Sequence, residues 1–178
     1  MDWKNYLFSF QGRINRAKIW LYVLIVIGAE ILYFTLFWLL IGASGMGLIT
    51  GLASPGAAVA GGVSGILAIV LSFLFLIAAI WTGFAVAVKR LHDRNKSGWW
   101  LAVFYVAPVV LDVIAMATSP TGSDGEPSLG VVGGVLALTA LGIVIWAFVE
   151  LYCLRGTVGD NRFGPDPLAG KASAAPPA

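Results

Sequence analysis

The sequence contains one cysteine and one histidine, and this shortage excludes several kinds of site. The lone Cys153 cannot form an internal disulfide or a cysteine-based zinc cluster. A single histidine would need heavy carboxylate help to complete a zinc site. The chain also lacks the Gly-x-x-x-x-Gly-Lys-Ser/Thr phosphate loop, the His-Glu-x-x-His zinc motif and the Gly-x-Ser-x-Gly nucleophile turn. We therefore expect no metal ion or other cofactor, and these motifs give no reason to expect an enzyme.

Charge is scarce as well, since 11% of the residues are charged while 59% are hydrophobic. A soluble helical bundle would show polar faces at a 3.6-residue period, whereas these apolar stretches lack such faces. The sequence predicts an all-α integral membrane bundle of four transmembrane helices, at about 19–41, 66–88, 99–118 and 131–154. Each stretch is long enough, at about 1.5 Å per residue, to cross a hydrocarbon core about 30 Å thick.

Basic residues are absent from the first and third connections, 42–65 and 119–130. All eleven Lys and Arg residues lie before the first stretch, between the second and third, or after the fourth. Because cytoplasmic connections carry an excess of Lys and Arg, this distribution predicts that both termini lie in the cytoplasm. The lipid bilayer is then the expected partner, and the basic face gives no reason to invoke nucleic acid.

The two ends of the chain differ from the apolar stretches. Residues Asp2–Phe10 predict an interfacial amphipathic segment on the inner leaflet, with apolar side chains on one side of a short helix. Those side chains are Trp3, Tyr6, Leu7 and Phe10. After Leu168 the chain is rich in Ala, Pro and Ser, which is typical of disorder. The sequence therefore predicts one membrane domain over 1–168 and a disordered tail over 169–178.

Three polar segments on the predicted cytoplasmic side carry most of the remaining chemistry. We expect them to form one joint basic surface, because arginine side chains recognise anionic groups through several planar donors. An anionic phospholipid or an acidic segment of an unidentified membrane protein would suit this surface. The alternatives are that the cluster only orients and staples the bundle, or that His92 and Asp93 form an acid–base pair. The candidate cluster comprises Arg13, Arg16, Lys89, Arg90, His92, Asp93, Arg94, Asp160, Asn161 and Arg162.

The same polar segments resemble the signatures of a known family, catalogued as domain of unknown function 805. Three motifs carry the resemblance, in the family's order: Phe10-Gln11-Gly12-Arg13-Ile14-Asn15-Arg16 leading to Trp20, Lys89-Arg90-Leu91-His92-Asp93 with Ser97-Gly98-Trp99-Trp100, and Gly159-Asp160-Asn161-Arg162-Phe163-Gly164-Pro165-Asp166-Pro167. Together they span most of residues 1–168. The resemblance implies a small, multi-pass protein of the bacterial inner membrane. It supplies no catalytic residues, because no biochemical activity is established for that family.

Three acidic residues lie within or at the edges of the predicted spans. Glu30 is near the middle of the first, where a charge costs about 3 kcal/mol or more, so we expect it to face the bundle interior. Asp112 lies toward the outer end of the third span, and Glu150 at the inner end of the fourth. Such acids favour an alternative function, a small ion- or proton-coupled transporter or channel that uses Glu30 and Asp112 in a homo-oligomer. The expected ion-pair partners of Glu150 are Lys89, Arg90 or Arg155.

Two pairs of glycines are spaced four residues apart, Gly61 with Gly65 and Gly130 with Gly134. This spacing is typical of helices that approach each other closely in membranes. The chain has 22 glycines, so chance matches are expected. The pattern therefore predicts close helix contact at the outer ends of the second and fourth helices only weakly.

Overall fold

A computed structural model describes residues 2–51, 54–119 and 130–169 of the chain. These residues form five α-helices and two π-helical turns and contain no β-strand, so the all-helical prediction is confirmed for them. The helices are α1 (Trp3–Phe8), α2 (Arg16–Gly51), α3 (Pro55–Asp93), α4 (Ala107–Ala117) and α5 (Val131–Phe148), with π-helical turns at Ala102–Val106 and Val149–Cys153. The predicted disordered tail lies outside the described residues from 170 onward, as do residues 120–129 of the third connection.

Three helical segments are long and apolar enough to cross a membrane, namely α2, α3 and the continuous segment Val131–Cys153. The third predicted span corresponds to a shorter apolar helix, Ala102–Ala117, which at 1.5 Å per residue is about 24 Å long. Both α2 and α3 extend beyond the predicted apolar stretches, because the connection between them continues both helices. Ser54 caps the start of α3, and Pro55 occupies its first position, where its missing N–H costs no hydrogen bond.

The described residues fall into two compact units. One unit combines Met1–Trp20 with Phe84–Ala178, and the other is Leu21–Gly83. The first therefore contains α1, α4, α5 and both π-helical turns. The second contains most of α2 and the first part of α3.

Within the Leu21–Gly83 unit, small residues bring α2 and α3 into close contact. A Cβ atom added to Gly47 would lie 2.6 Å from the Cα of Gly61, and one added to Gly61 would lie 2.9 Å from the carbonyl oxygen of Ser44. A Cβ on Gly65 would lie 2.9 Å from the Ser44 hydroxyl. The first glycine pair thus makes the predicted contact, whereas a Cβ on Gly134 would meet nothing within 4 Å.

Farther along the same two helices, aromatic and hydroxyl side chains meet. Tyr33 stacks on Phe75 with ring centroids 4.4 Å apart, and its hydroxyl lies 2.9 Å from that of Ser72. The Tyr22 and Thr82 hydroxyls are 3.1 Å apart. These contacts satisfy the polar atoms that α2 and α3 present to each other, as an apolar solvent requires.

In the other unit, the backbone adapts to Pro108, which cannot donate a hydrogen bond to the carbonyl of Phe104. The chain forms a π-helical turn at Ala102–Val106, and the N–H of Ala107 bonds the carbonyl of Ala102. Beside this turn, the ring of Phe104 packs 5.3 Å from that of Trp146. The turn and the rings together hold α4 against α5.

The contact between Gly47 and Gly61 gives a first prediction. Gly61→Ala should destabilise the protein by about 1–3 kcal/mol, because the added methyl group overlaps backbone atoms of α2 that cannot move aside. Gly62→Ala is the matched control, since a Cβ there meets nothing within 4 Å. Thermal unfolding of both variants in a mild detergent measures the difference. Equal melting temperatures would show that the two helices do not touch at Gly61.

Candidate functional site in the polar cap

Three polar segments of the first unit, 2–18, 89–97 and 154–168, come together and form what we term the polar cap. At its centre is Asp93, the last residue of α3. One carboxylate oxygen accepts hydrogen bonds from Nε and Nη2 of Arg13, at 3.3 and 3.2 Å. The other accepts from Nη1 of Arg90 at 2.6 Å. All three side chains are buried. The cap is therefore built around two guanidinium groups that share one carboxylate.

Arg13 also ties the N-terminal segment to the C-terminal segment. Its Nη1 donates to the carbonyl oxygen of Gly159 at 2.8 Å, and its Nη2 to that of Thr157 at 2.7 Å. Thr157 in turn donates its backbone N–H to the carbonyl of Asp93 at 2.8 Å. Because Arg13 donates to so many oxygens of two other segments, it serves as a cross-link and leaves little capacity for a ligand.

Arg90 performs the same task at the end of α5. Its Nε donates to the carbonyl of Leu151 at 2.8 Å, and its Nη2 donates to the carbonyl of Leu154. These carbonyls lie where the helix ends and would otherwise lack partners. Gly156, two residues after Leu154, must lack a side chain, since a Cβ there would lie 2.0 Å from an Asp93 oxygen.

His92 and Asn161 reinforce the same junction. Nδ1 of His92 lies 3.2 Å from the carbonyl oxygen of Gly12, so this nitrogen carries the proton and donates it. The imidazole stacks on Phe163 with centroids 3.9 Å apart. The side-chain amide of Asn161 donates to the carbonyl of His92 at 2.9 Å and to the Thr157 hydroxyl at 3.0 Å. The histidine is therefore held on both of its sides by the N-terminal and C-terminal segments.

Lys89 fixes the N-terminal helix. Its ammonium group donates to the carbonyls of Asn5 and Tyr6 in the last turn of α1, at 2.7 and 2.5 Å. The hydroxyl of Tyr6 donates to the carbonyl of Lys18 at 2.5 Å. Because α1 ends at Phe8, the predicted amphipathic helix does not extend to Phe10.

Glu150 is buried, but the predicted partners were wrong. Its carboxylate pairs with Nε of Arg94 and with Nζ of Lys96, each at 3.0 Å. Lys89 and Arg90 are unavailable, because their donors already serve α1, Asp93 and the end of α5. The ammonium of Lys96 also lies 4.8 Å from the ring centroid of Trp100, which adds a cation–π contact.

The other two acids of the predicted spans are exposed on their helices. Within the Leu21–Gly83 unit, Glu30 takes no part in the contact between α2 and α3, and its orientation toward a bundle interior stays a prediction. There, Tyr22 and Tyr33 occupy the polar positions of α2 that meet α3, while Glu30 lies in a shallow groove beside Phe34. Asp112 is exposed on α4. Neither carboxylate has a hydrogen bond or an ion pair to any residue in the described ranges.

The remaining predicted cluster residues bond less extensively. Nη2 of Arg162 donates to the carbonyl of Asn95 at 3.1 Å, and its guanidinium lies over the ring of Phe163. Asp160 accepts a hydrogen bond from the backbone N–H of Asp166 at 3.0 Å. Arg16 is exposed, and its side chain bonds no described residue.

Arg16 instead lines a cavity of about 250 Å³ in the polar cap. Arg155, which is exposed and likewise makes no side-chain bond to a described residue, lies on the same cavity with Asn15 and Asp166. The predicted cluster contained Arg16 but not Arg155 or Asn15. Asn15 lies within the first motif and Arg155 directly after the predicted fourth span, and these positions are the signal that the sequence offered.

Burial sets the electrostatics of the cap groups beyond Val88, where the predicted second span ends. Burial lowers the pKa of Lys89 to about 8, and the nearby Lys18 charge acts in the same direction. Burial also raises the pKa of the Asp93 carboxyl, against the opposing charges of Arg90 and Arg13. Among the described residues, no group of three His, Cys, Asp or Glu side chains could hold a metal ion.

Comparison with known proteins gives a consistent set of relatives. The family model described as "Protein of unknown function (DUF805)" matches residues 7–165. Inner membrane protein YhaI of Escherichia coli K12 is 28% identical over 94% of this chain and 92% of its own length. Inner membrane protein YhaH of the same strain is 30% identical over 94% and 97%, and uncharacterized protein YiiR is 29% identical over 93% and 90%. No solved structure matches the chain.

The position of His92 predicts a dependence of stability on pH. Burial lowers the pKa of His92, the hydrogen bond to Gly12 opposes this, and the charge of Arg162 adds to it. A histidine whose pKa falls on folding contributes its full stability above about pH 6.5 and loses it as the pH falls further. The melting temperature should therefore drop from about pH 7.5 to about pH 5 more in wild type than in His92→Gln. Equal drops would show that His92 does not titrate with folding.

Proposed function

We propose that this chain, which belongs to the DUF805 family, is a four-span inner-membrane protein whose cytoplasmic polar cap binds the phosphate groups of phospholipids. The membrane location agrees with its relatives, two of which are named inner membrane proteins. It also agrees with the three long apolar helices and the shorter fourth one. The protein is accordingly proposed as a membrane-embedded binding protein and not as an enzyme.

The contacts in the polar cap support the four-span arrangement with both termini on one side. Arg13, Asp93 and Thr157 belong to three different segments and bond one another directly. Groups on opposite faces of a bilayer cannot do this, so these bonds support an even number of crossings between each segment and the next. The excess of Lys and Arg in these segments favours the cytoplasm as that side.

The binding proposal depends on the basic side chains that form no bond within the cap. Most of the predicted cluster is occupied by bonds within the cap, which leaves little of it for a ligand. Arg16 of that cluster and Arg155, which was not part of it, differ because both are exposed and line one cavity without a bonded side-chain partner among the described residues. Two guanidinium groups on one cavity are suited to an oxyanion such as phosphate. This shared cavity is the observation on which the proposal rests.

An acid–base role for His92 and Asp93 is not favoured by the geometry. The imidazole is stacked on Phe163 and donates to the carbonyl of Gly12. Both oxygens of Asp93 accept from guanidinium groups. A catalytic base must be reached by a substrate proton, whereas Asp93 is buried and ion-paired with Arg13 and Arg90.

Coupled transport through Glu30 and Asp112 stays a prediction. Glu30 belongs to the Leu21–Gly83 unit and Asp112 to the other, and each is exposed on its own helix. Neither acid shares a described hydrogen bond with a group that could relay a proton. The polar cap is therefore the better-supported site.

Lipid retention tests the proposal. Wild type purified in a mild detergent should retain phosphatidylglycerol in native mass spectra, and Arg16→Gln/Arg155→Gln should lose about tenfold or more, because each charge-assisted bond is worth about 1.5–3 kcal/mol. The matched control Lys4→Gln/Arg162→Gln removes two cap cations outside the cavity and should retain the lipid. Equal retention by both double variants, with unchanged melting temperatures, would contradict the proposal.

A further inference from the structure

The cavity of the polar cap carries charges of both signs. Arg16 and Arg155 supply guanidinium groups, and the side-chain amide of Asn15 adds a donor that bonds no described residue. The carboxylates of Asp93 and Asp166 also line the cavity. A site for a simple anion would not be expected to include carboxylates. Whether each carboxylate is already paired with a cation of the protein therefore decides which ligand fits.

The Asp93 carboxylate is neutralised within the cap and offers little to a ligand. Its oxygens are bonded to Arg13 and Arg90, and both guanidinium groups are buried. With these two cations counted, Asp93 leaves no net negative charge at the cavity wall. The phosphate-binding side formed by Arg16 and Arg155 therefore keeps its positive potential.

Asp166 differs from Asp93 because no Lys or Arg side chain in the described ranges forms an ion pair with it. Its oxygens accept hydrogen bonds from the backbone N–H groups of Leu168 and Gly159, at 2.8 and 2.9 Å. These two donors hold the pKa of Asp166 below its usual value, so the carboxylate is ionised at neutral pH. Each oxygen retains a further lone pair. The cavity thus presents an acceptor-only carboxylate together with two guanidinium groups, and no ion pair joins them among the described residues.

We propose that this cavity binds a phosphate ester that carries a primary amine, the chemistry of a phosphoethanolamine group. The phosphate lies between Arg16 and Arg155, and the ammonium group donates hydrogen bonds to Asp166. This inference rests on the proposed function and specifies its ligand. A glycerol headgroup would leave Asp166 without a cation, and a quaternary choline has no N–H to donate.

Two aromatic residues favour a lipid as the source of this group. Trp20 lies one helical turn beyond Arg16, and Tyr152 lies three residues before Arg155; their rings meet edge to face with centroids 5.7 Å apart. Trp and Tyr are enriched at the depth of the headgroups in membrane proteins. The cavity beside them would therefore lie at that depth, where a diester headgroup is more accessible than a soluble monoester.

A methylation series of lipids tests the inference on the unmodified protein. Phosphatidylethanolamine, its N-methyl and N,N-dimethyl forms, phosphatidylcholine and phosphatidylglycerol, all with identical acyl chains, are offered in equal amounts and retention is read by native mass spectrometry. Retention of phosphatidylethanolamine should exceed that of phosphatidylcholine and phosphatidylglycerol by about tenfold, the value of one charge-assisted hydrogen bond. Displacement by soluble phosphoethanolamine at low concentration would assign the same chemistry to a free ester.

Variants separate the two halves of the site. Asp166→Asn should remove the preference for the amine while phosphate-dependent retention persists. Asp2→Asn should leave the preference intact, because Asp2 lies outside the cavity lining and an asparagine can still cap α1. Equal retention of phosphatidylglycerol and phosphatidylethanolamine by wild type would overturn the amine inference and leave the proposed function standing. Failure of wild type to retain any of these phospholipids would overturn both.

Discussion

The shared carboxylate of Asp93 is the interaction on which the polar cap depends. It pairs with Arg13 and Arg90 where all three side chains are buried, so removal of Asp93 would leave two guanidinium groups in a low-dielectric site without their counter-ion. Such burial is tolerated because both guanidinium groups have further acceptors. Carbonyl groups of the C-terminal segment bond Arg13, and those at the end of α5 bond Arg90. One carboxylate therefore joins the segment before α2, the end of α3 and, through Arg90, the end of the π-helical turn that follows α5.

This arrangement divides the basic residues of the cap into two groups with different tasks. The first group consists of structural residues that bond carbonyl or carboxylate groups inside the cap: Arg13, Lys89, Arg90 and Arg94. Arg16 and Arg155 remain exposed on one cavity. The structural residues also help to position the cavity, since Arg94 donates to the backbone carbonyl of Arg155. The buried ion pairs thus support a cavity whose own guanidinium groups, those of Arg16 and Arg155, form no ion pair within the cap.

The sequence was sufficient to predict the helical class and the meeting of the polar segments, because apolar length and charge distribution are properties of composition along the chain. It could not predict which partner each charge takes. Glu150 was within plausible reach of several cations, and the choice of Arg94 and Lys96 depends on Lys89 and Arg90 being occupied elsewhere. Competition of this kind appears only when all donors and acceptors are placed together.

Two features had weaker signals in the sequence. The face that Glu30 occupies depends on which residues of α2 meet α3, and a helix that is apolar all round gives no amphipathic pattern from which to read it. The cavity between Arg16 and Arg155 combines residues about 140 positions apart, which no local spacing reveals. The family resemblance located the motifs correctly but assigned no task to any residue within them.

The central claim is that Asp93 and Arg13 act as one buried unit, and a double-mutant cycle tests it most directly. Unfolding of Arg13→Gln, Asp93→Asn and the double variant, titrated with denaturing detergent from lipid bicelles, gives the coupling free energy. We expect the double variant to be more stable than the sum of the single effects implies, by more than about 1 kcal/mol. Additivity within about 0.5 kcal/mol would show that the two side chains do not depend on each other.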